Sequence, residues 1–471
     1  MSTTLVGILG FLTIVAIVVT LFQSRTTPAI AFIVFPMILA VILVIGGYYD
    51  FDQIAKLIKG GFGSTGPTAA LFVFSVLYFG IMTDAGMFDV IIGQLMKLVG
   101  DNVIGVTVMT AVIALIGHLD GGGASTFCIV VPAMLPVYKK MHMRPTTLLR
   151  IAVLSMGVLN LMPWAGPTMR AATVLGIEAG ELWKTLLPIQ AFGIVLSLAH
   201  AVLAGMQEKA RGAGLNGKLA QIEGEVAEEE KKADASANNE LARPNLFIFN
   251  IGLTIAVIAM LIWDVFPSYV PFMIGVAIAL FVNYGATAKM HKKLINLHAG
   301  PALMMCSTLM GAAVLMGVLV YGIDAGGAAA IAKIKNGVST EMQIISVVTC
   351  MANLIKMVLP AALGQNLPLV IGILSVPLAL AFDTDSYFYG MLPVMIAIGA
   401  SFGVEAMPIA VAMVVCRNCA TFISPMVPAT LLGIGLADID IKDHIKASFF
   451  YVWGFSILCM LFAVLLGIMP L

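Results

Sequence analysis

The chain has 471 residues, of which 60% are hydrophobic and 11% charged, and its 25 basic and 25 acidic side chains leave no net charge. Soluble globular domains carry about 45–50% apolar and about 25% charged residues, so this composition, with a mean hydropathy of +1.04, excludes one. It describes a multi-pass membrane protein, and nothing in its charge points to a nucleic-acid partner.

In chain order, residues 4–21 and 28–47 are uncharged runs close to the ~20 residues that cross a hydrocarbon core. The first lacks the basic flank of a signal peptide and is expected to stay in the mature protein. GIMTDAGMFDVIIGQLMKL (80–98) contains a short helix, 86–98, expected to lie along a membrane interface.

Residues 103–138 are apolar except at their middle, where HLDGGGASTF (118–127) places an imidazole, a carboxylate and three glycines. Irregular backbone at membrane depth leaves N–H and C=O groups unpaired at several kcal/mol each, so it survives only where it lines a cavity or is covered by protein. The stretch is therefore expected to be the tip of a re-entrant hairpin, with a glycine-rich external loop as the plainer alternative. Gly122 and Gly123 let backbone amides approach a ligand. Ser125 or Thr126 is expected to cap a helix starting at Phe127 and to turn its positive end toward an anion. Asp120 and His118 are ionisable groups where a charge costs about 2.5–3.5 kcal/mol or more. Asp120 suits a hard cation or a proton. His118 suits proton coupling or a softer metal, or is simply an interfacial histidine.

The next segment, 147–180, is interrupted at NLMPWAGPTMRAATV (160–174), where prolines and small residues open the helical ladder and free carbonyls for a cation. Gly166, Pro167 and Thr168 form the break. Arg170, one turn further, is shaped for bidentate carboxylate binding.

Residues 206–245 form a charged linker between an N-terminal repeat, 1–205, and a C-terminal repeat, 246–471. GPTMRAATVLGI (166–177) returns as SPMVPATLLGI (424–434), and the 80–98 stretch as GIDAGGAAAIAKIKNG (322–337), in the same order. Basic clusters at Lys139, Lys140, Arg144 and Arg150 and at Lys289, Lys292 and Lys293 follow non-equivalent elements, as an inverted repeat with five crossings per half requires. Both termini are then outside and the linker inside. In the second half a mirror hairpin, 367–398, is broken at Asp383, Asp385 and Ser386, and a second interrupted helix, 406–436, is broken at Ser424 and Pro425, with Arg417 before the break and Thr430 after it. Ser155, Asn160 and Asn418 extend the polar lining. Residues 326–336 are expected as the second interfacial helix, and 341–363 as extra material of the outer hairpin. The fold class is thus all-α, with two re-entrant hairpins and two interrupted helices. Oxygen ligands at Asp120, Asp383 and Asp385 suit Mg2+ or Ca2+. The C-x-x-C at Cys416 and Cys419 lacks the context of a redox or metal motif.

With these motifs in view, HLDGGGASTFCIVVPAMLPVYKKM, VLNLMPWAGPTMRAATVL, DTDSYFYGMLPV and ISPMVPATLLGIGLADID resemble the citrate–divalent metal:proton symporter family (CitMHS), along most of the chain. One departure is that Asp383-Thr384-Asp385 stands where that family shows Ser-Asn-Asp. The resemblance implies a homodimer in the inner (plasma) membrane, an elevator with scaffold and transport domains, and a substrate of citrate complexed with Mg2+ or Ca2+, taken up with protons. It puts the site at residues 122–126, 166–168, 383–386 and 424–428, with no resident cofactor. Chelation leaves citrate with one net negative charge, which an arginine, helix N-termini and a proton can balance. Proton coupling is expected at His118, Asp120, Asp383 or Asp385. A carrier of a metal-free carboxylate and a cation:proton antiporter stay open; an enzyme does not fit, since no nucleophile–base pair or zinc spacing occurs.

Overall fold

The computed structural model describes residues 1–23, 25–97, 102–214, 241–263, 266–324, 327–330, 334–335, 338–339 and 345–469. The first half comprises α1 (Thr3–Phe22), α2 (Pro28–Ile45), α3 (Phe51–Asp84), α4 (Met87–Lys97), α5 (Val103–Gly117), α6 (Gly123–Lys140), α7 (Pro145–Leu159), α8 (Gly166–Leu175) and α9 (Ala179–Arg211). The second comprises α10 (Phe247–Trp263), α11 (Tyr269–Tyr284), α12 (Ala288–Leu319), α13 (Val347–Lys356), α14 (Ala361–Gln365), α15 (Leu367–Ala379), a π-helical turn (Ser386–Met391) running into α16 (Leu392–Ser401), α17 (Ala406–Cys419), α18 (Pro428–Ala437) and α19 (Ile441–Leu465). Each half thus runs through two apolar helices, one long helix, a helical hairpin, an interrupted helix and a closing helix.

The two long helices are the spine. Asp50 and Gln53 close a capping box at the start of α3, and both α3 and α12 contain an internal proline, Pro67 and Pro301. They run antiparallel: Gly61 lies on the Ala313 carbonyl, Gly317 against Leu57 and Ile58, and Gly80 against His298. Only glycine permits this approach, since a Cβ on Gly317 would sit 2.7 Å from the Leu57 oxygen and 2.8 Å from the Ile58 Cα. In lipid, where apolar surface gives little drive to associate, such small-residue contacts hold helices together. The second helix of each half packs on the long helix of the other: Gly311 of α12 abuts Ala29 of α2, and Gly275 of α11 abuts Tyr78 of α3.

Eight helices among the described residues are long and apolar enough to cross a membrane. The two shortfalls against ten expected crossings are α11, with 16 residues, and the interrupted α7–α8. The short helix expected at 86–98 is present as α4. Its expected counterpart at 326–336 is not helical in its described residues: Gly322–Ile323 pairs with Ala329–Ala330, and Ile334–Lys335 with Val338–Ser339. Asp324 Oδ1 takes the Ala328 N–H at 2.8 Å and Gly327 sits at φ +76°, so a tight turn replaces the helix that the alanines favour. Within the extra segment, α13 packs on α1, where Gly7 and Gly10 receive Cys350 and Met351, and on α16 of the outer hairpin. Residues 215–240 of the charged linker lie outside the described residues.

Candidate functional site

Four irregular stretches converge: tip 1 between α5 and α6, tip 2 between α15 and the π-helical turn, break 1 between α7 and α8, and break 2 between α17 and α18. In tip 1, Gly121 takes φ +70°, a left-handed position, and Gly122 is the N-cap of α6. Asp120 folds back on its own tip. Its Oδ1 accepts the Gly122 N–H at 2.7 Å and its Oδ2 meets the Ser125 hydroxyl. The helix therefore starts at Gly123, four residues before the expected Phe127, and neither Ser125 nor Thr126 caps it. The reason is that the Asp120 carboxylate already meets the tip's N–H, and the two hydroxyls turn to the Gly122 carbonyl, at 2.8 and 2.7 Å.

His118 is wholly buried, with Nδ1 2.7 Å from Thr126 Oγ1, Nε2 3.0 Å from the side-chain amide of Asn160, and its ring edge-on to Phe422 at 5.3 Å. Both nitrogens are engaged, so the imidazole ties tip 1 to break 1. Trp164 adds a second tie, donating from Nε1 to the Leu119 carbonyl at 2.7 Å. Gly123 lies against the Phe422 ring and Ala429, and α6 packs along α18.

Tip 2 repeats the device. Asp383 Oδ1 accepts the Asp385 and Ser386 N–H groups at 2.8 and 3.0 Å, and Oδ2 accepts the Ser386 hydroxyl at 2.6 Å. Asp385 points elsewhere, to Arg170 Nε at 2.5 Å, with side-chain exposures of 15% and 8%. This pair joins tip 2 to α8. Gly166 lies against the Arg170 guanidinium, whose Nη2 also approaches Met305 Sδ at 3.7 Å. The pair borders a small cavity shared with Phe72 of α3 and with Met305 and Thr308 of α12.

The broken helices cross where Gly157 of α7 meets the Asn418 carbonyl of α17. The carbonyl freed at Asn160 is occupied by the Thr168 hydroxyl at 2.9 Å and the Asn418 amide at 3.1 Å. Ser424 Oγ accepts the Met426 N–H at 3.2 Å, Pro425 is exposed, and Thr430 is buried with its hydroxyl unpartnered. One amide atom each of Asn160 and Asn418, the Tyr389 hydroxyl and the Ser155 hydroxyl are also buried without partners. Among the described residues no three His, Cys, Asp or Glu side chains gather as metal ligands, so Asp120, Asp383 and Asp385 are not drawn into one group in this conformation. Pro167 lies buried in the first turn of α8.

Sequence reasoning missed Trp164, Phe422 and the α3 and α12 residues around the Arg170 pair. For Trp164 a signal existed, since an indole N–H inside an apolar break needs an acceptor. Residues from distant helices carry no comparable mark.

Residues 2–416 match the family model described as Citrate transporter. The chain is 31% identical over 464 residues, 98% of this chain and 99% of the relative, to a citrate transporter of Bacillus subtilis (strain 168). It is 30% identical over 442 residues, 94% of each, to a Mg2+/citrate complex secondary transporter of the same organism. Among solved structures, the YdaH transporter of Alcanivorax borkumensis shares the fold, with a TM-score of 0.55 at 14% identity over 88% of this chain and 89% of that one. These relatives are transporters rather than enzymes, and with the apolar helices they make this a multi-pass membrane carrier: the chain belongs to the citrate transporter family.

Proposed function

We propose that the protein takes up citrate complexed with a divalent cation, Mg2+ or Ca2+, together with protons, across the inner membrane. The observation that carries this is the buried Arg170–Asp385 pair, which joins tip 2 to the second half of the first interrupted helix and faces α3 and α12. Burying two charges in lipid costs several kcal/mol per ion, and such pairs in membrane carriers accompany ion and substrate pathways. Arg170 is suited to a substrate carboxylate, and Asp385 to the cation or the proton that replaces it when Arg170 turns to substrate. The name of the Mg2+/citrate relative supports the complex as cargo.

The remaining assignments follow from the same arrangement. Residues 103–138 and 367–398 are taken as re-entrant hairpins in an inverted repeat of 1–205 and 246–471, a reading supported by the antiparallel packing of α3 on α12. Gly122, Gly123, Ser125, Thr126, Gly166, Pro167, Thr168, Ser386, Ser424, Pro425 and Thr430 frame the substrate, with Asp120 and Asp383 reaching the cation after release from their tips. His118 positions tip 1 and is a candidate in proton coupling. The hairpins and interrupted helices would move as one body against α3 and α12, in a homodimer.

The test is uptake of radiolabelled citrate into proteoliposomes under an inward proton gradient, with Mg2+, Ca2+ or excess EDTA. Uptake that needs a metal, vanishes in EDTA and collapses with a protonophore supports the symport. Citrate uptake indifferent to EDTA points to the metal-free carboxylate, and no citrate uptake under any condition rejects the proposal.

A further inference from the structure

Among the described residues Arg417 is the largest fully buried side chain, and no carboxylate pairs with it. The groups that touch it are neutral, and the Asp383 carboxylate acts on it only from beyond ion-pair distance. Nη1 lies 3.3 Å from Thr421 Oγ1, Nη2 lies 3.2 Å from the Phe382 carbonyl and 3.5 Å from Thr384 Oγ1, the Tyr387 ring is centred 5.7 Å away, and Nε has no partner. Asp383, the nearest acidic side chain of tip 2, has both oxygens engaged by the backbone and hydroxyl of its own tip. A guanidinium is permanently charged, so removing it from water without a carboxylate in contact is a costly arrangement.

The contrast with the other buried arginines narrows the function. Arg170 is compensated by Asp385. Among the described residues Arg150 has no paired carboxylate either, but it lies about 15 Å along α7 from Asn160, bonds Gln207 at 3.1 Å and stacks on the Tyr451 ring at 4.0 Å. Arg417 alone of the three sits between tip 2 and break 2, next to Asn418 with its unpartnered amide oxygen.

We propose that Arg417 is the principal anion-binding group of the site, receiving a carboxylate of the anionic substrate between break 2 and tip 2. The assignment rests on the citrate-complex reading above and names the cation that holds the cargo. An entering carboxylate would replace the long contacts to Phe382 and Thr384 with charge-assisted, bidentate bonds and would take up Nε. Arg170, already balanced, is then the second contact rather than the anchor.

The test is a cycle of protein against ligand. Purified full-length wild type, Arg417→Gln and Arg417→Lys are titrated in Mg2+ with citrate and with citramalate, which lacks one terminal carboxylate, and binding is read as the ligand-induced rise in melting temperature. Wild type should prefer citrate by about 100-fold, the size of a buried charge-pair deletion, while Arg417→Gln should hold the two acids within about threefold of each other. If glutamine at 417 prevents folding, lysine keeps the charge without the fork, and citrate should bind about tenfold more weakly to it. An unchanged citrate preference in Arg417→Gln, or citrate affinity within twofold of wild type in Arg417→Lys, overturns the assignment. Wild type that responds to neither acid rejects the citrate-complex reading, and this assignment with it.

Discussion

Replacing Asp385 by asparagine removes the counter-charge of Arg170 and leaves a guanidinium whose side chain is 8% exposed. At the observed 2.5 Å, the pair attracts by about 7 kcal/mol for an effective dielectric of about 20. Most of that is offset by the several kcal/mol needed to desolvate each ion, so the intact pair adds little net stability. Breaking it from one side is another matter, because the desolvation remains and the attraction does not. Asp385→Asn and Arg170→Gln should therefore each destabilise by about 3–5 kcal/mol, while the double variant should cost far less than their sum, with a coupling of about 3 kcal/mol. The assay is equilibrium unfolding in detergent for all four proteins, alongside citrate uptake. All three variants should lose uptake, because the proposed site needs both groups. Additive destabilisation, with coupling below about 0.5 kcal/mol, would refute the claim that these residues form one buried electrostatic unit.

Gly123→Ala would drive a methyl group into the Phe422 ring, with Ala429 Cβ at 3.0 Å, and should cost about 1–3 kcal/mol; a second change, Phe422→Leu, should recover part of the lost thermal stability. Gly317→Val places side-chain atoms against the Leu57 carbonyl and Ile58 Cα, which are backbone and cannot yield, so the melting temperature in detergent should fall more than for Gly123→Ala. Trp164→Phe keeps an aromatic ring but leaves the Leu119 carbonyl without its donor, and a loss of about 1–3 kcal/mol should appear in the same unfolding measurement.

The hairpins and breaks were legible because their signals are physical oddities in an apolar background. A run of glycines with an aspartate at 120–123, or two prolines flanking a glycine at 163–167, is more than the single internal proline that α3 and α12 absorb at Pro67 and Pro301, so the clustering marks the interruptions. What did not follow was which polar groups meet. Asp385 lies 215 residues from Arg170, and Asn418 lies 258 from Asn160, separations at which residue type gives no partner. The same limit explains the cap of α6: a serine and a threonine ahead of an apolar run look like N-caps, but Asp120 reaches Gly122 first and the helix begins earlier. At 326–336 the correspondence with 86–98 argued for helix, whereas the turn at Asp324 and Gly327 favours the pairing of Gly322–Ile323 with Ala329–Ala330, since a glycine at positive φ and an aspartate accepting N–H four residues on form a turn at little cost.

The tips and the arginines together suggest why the cargo would be a complex. Asp120 and Asp383 each hold their own tip closed with both carboxylate oxygens, and Asp385 is held by Arg170, so among the described residues no acidic cage stands open for a bare divalent cation. A cation arriving already wrapped by citrate carboxylates needs few protein ligands and brings the direct carboxylate contact that Arg417 lacks. A bare cation would instead meet an arginine with no carboxylate in contact and be repelled by it. The buried positive charge at break 2 thus favours an anion-bearing cargo over a cation:proton exchange, which would gain nothing from Arg417 and would have to tolerate it.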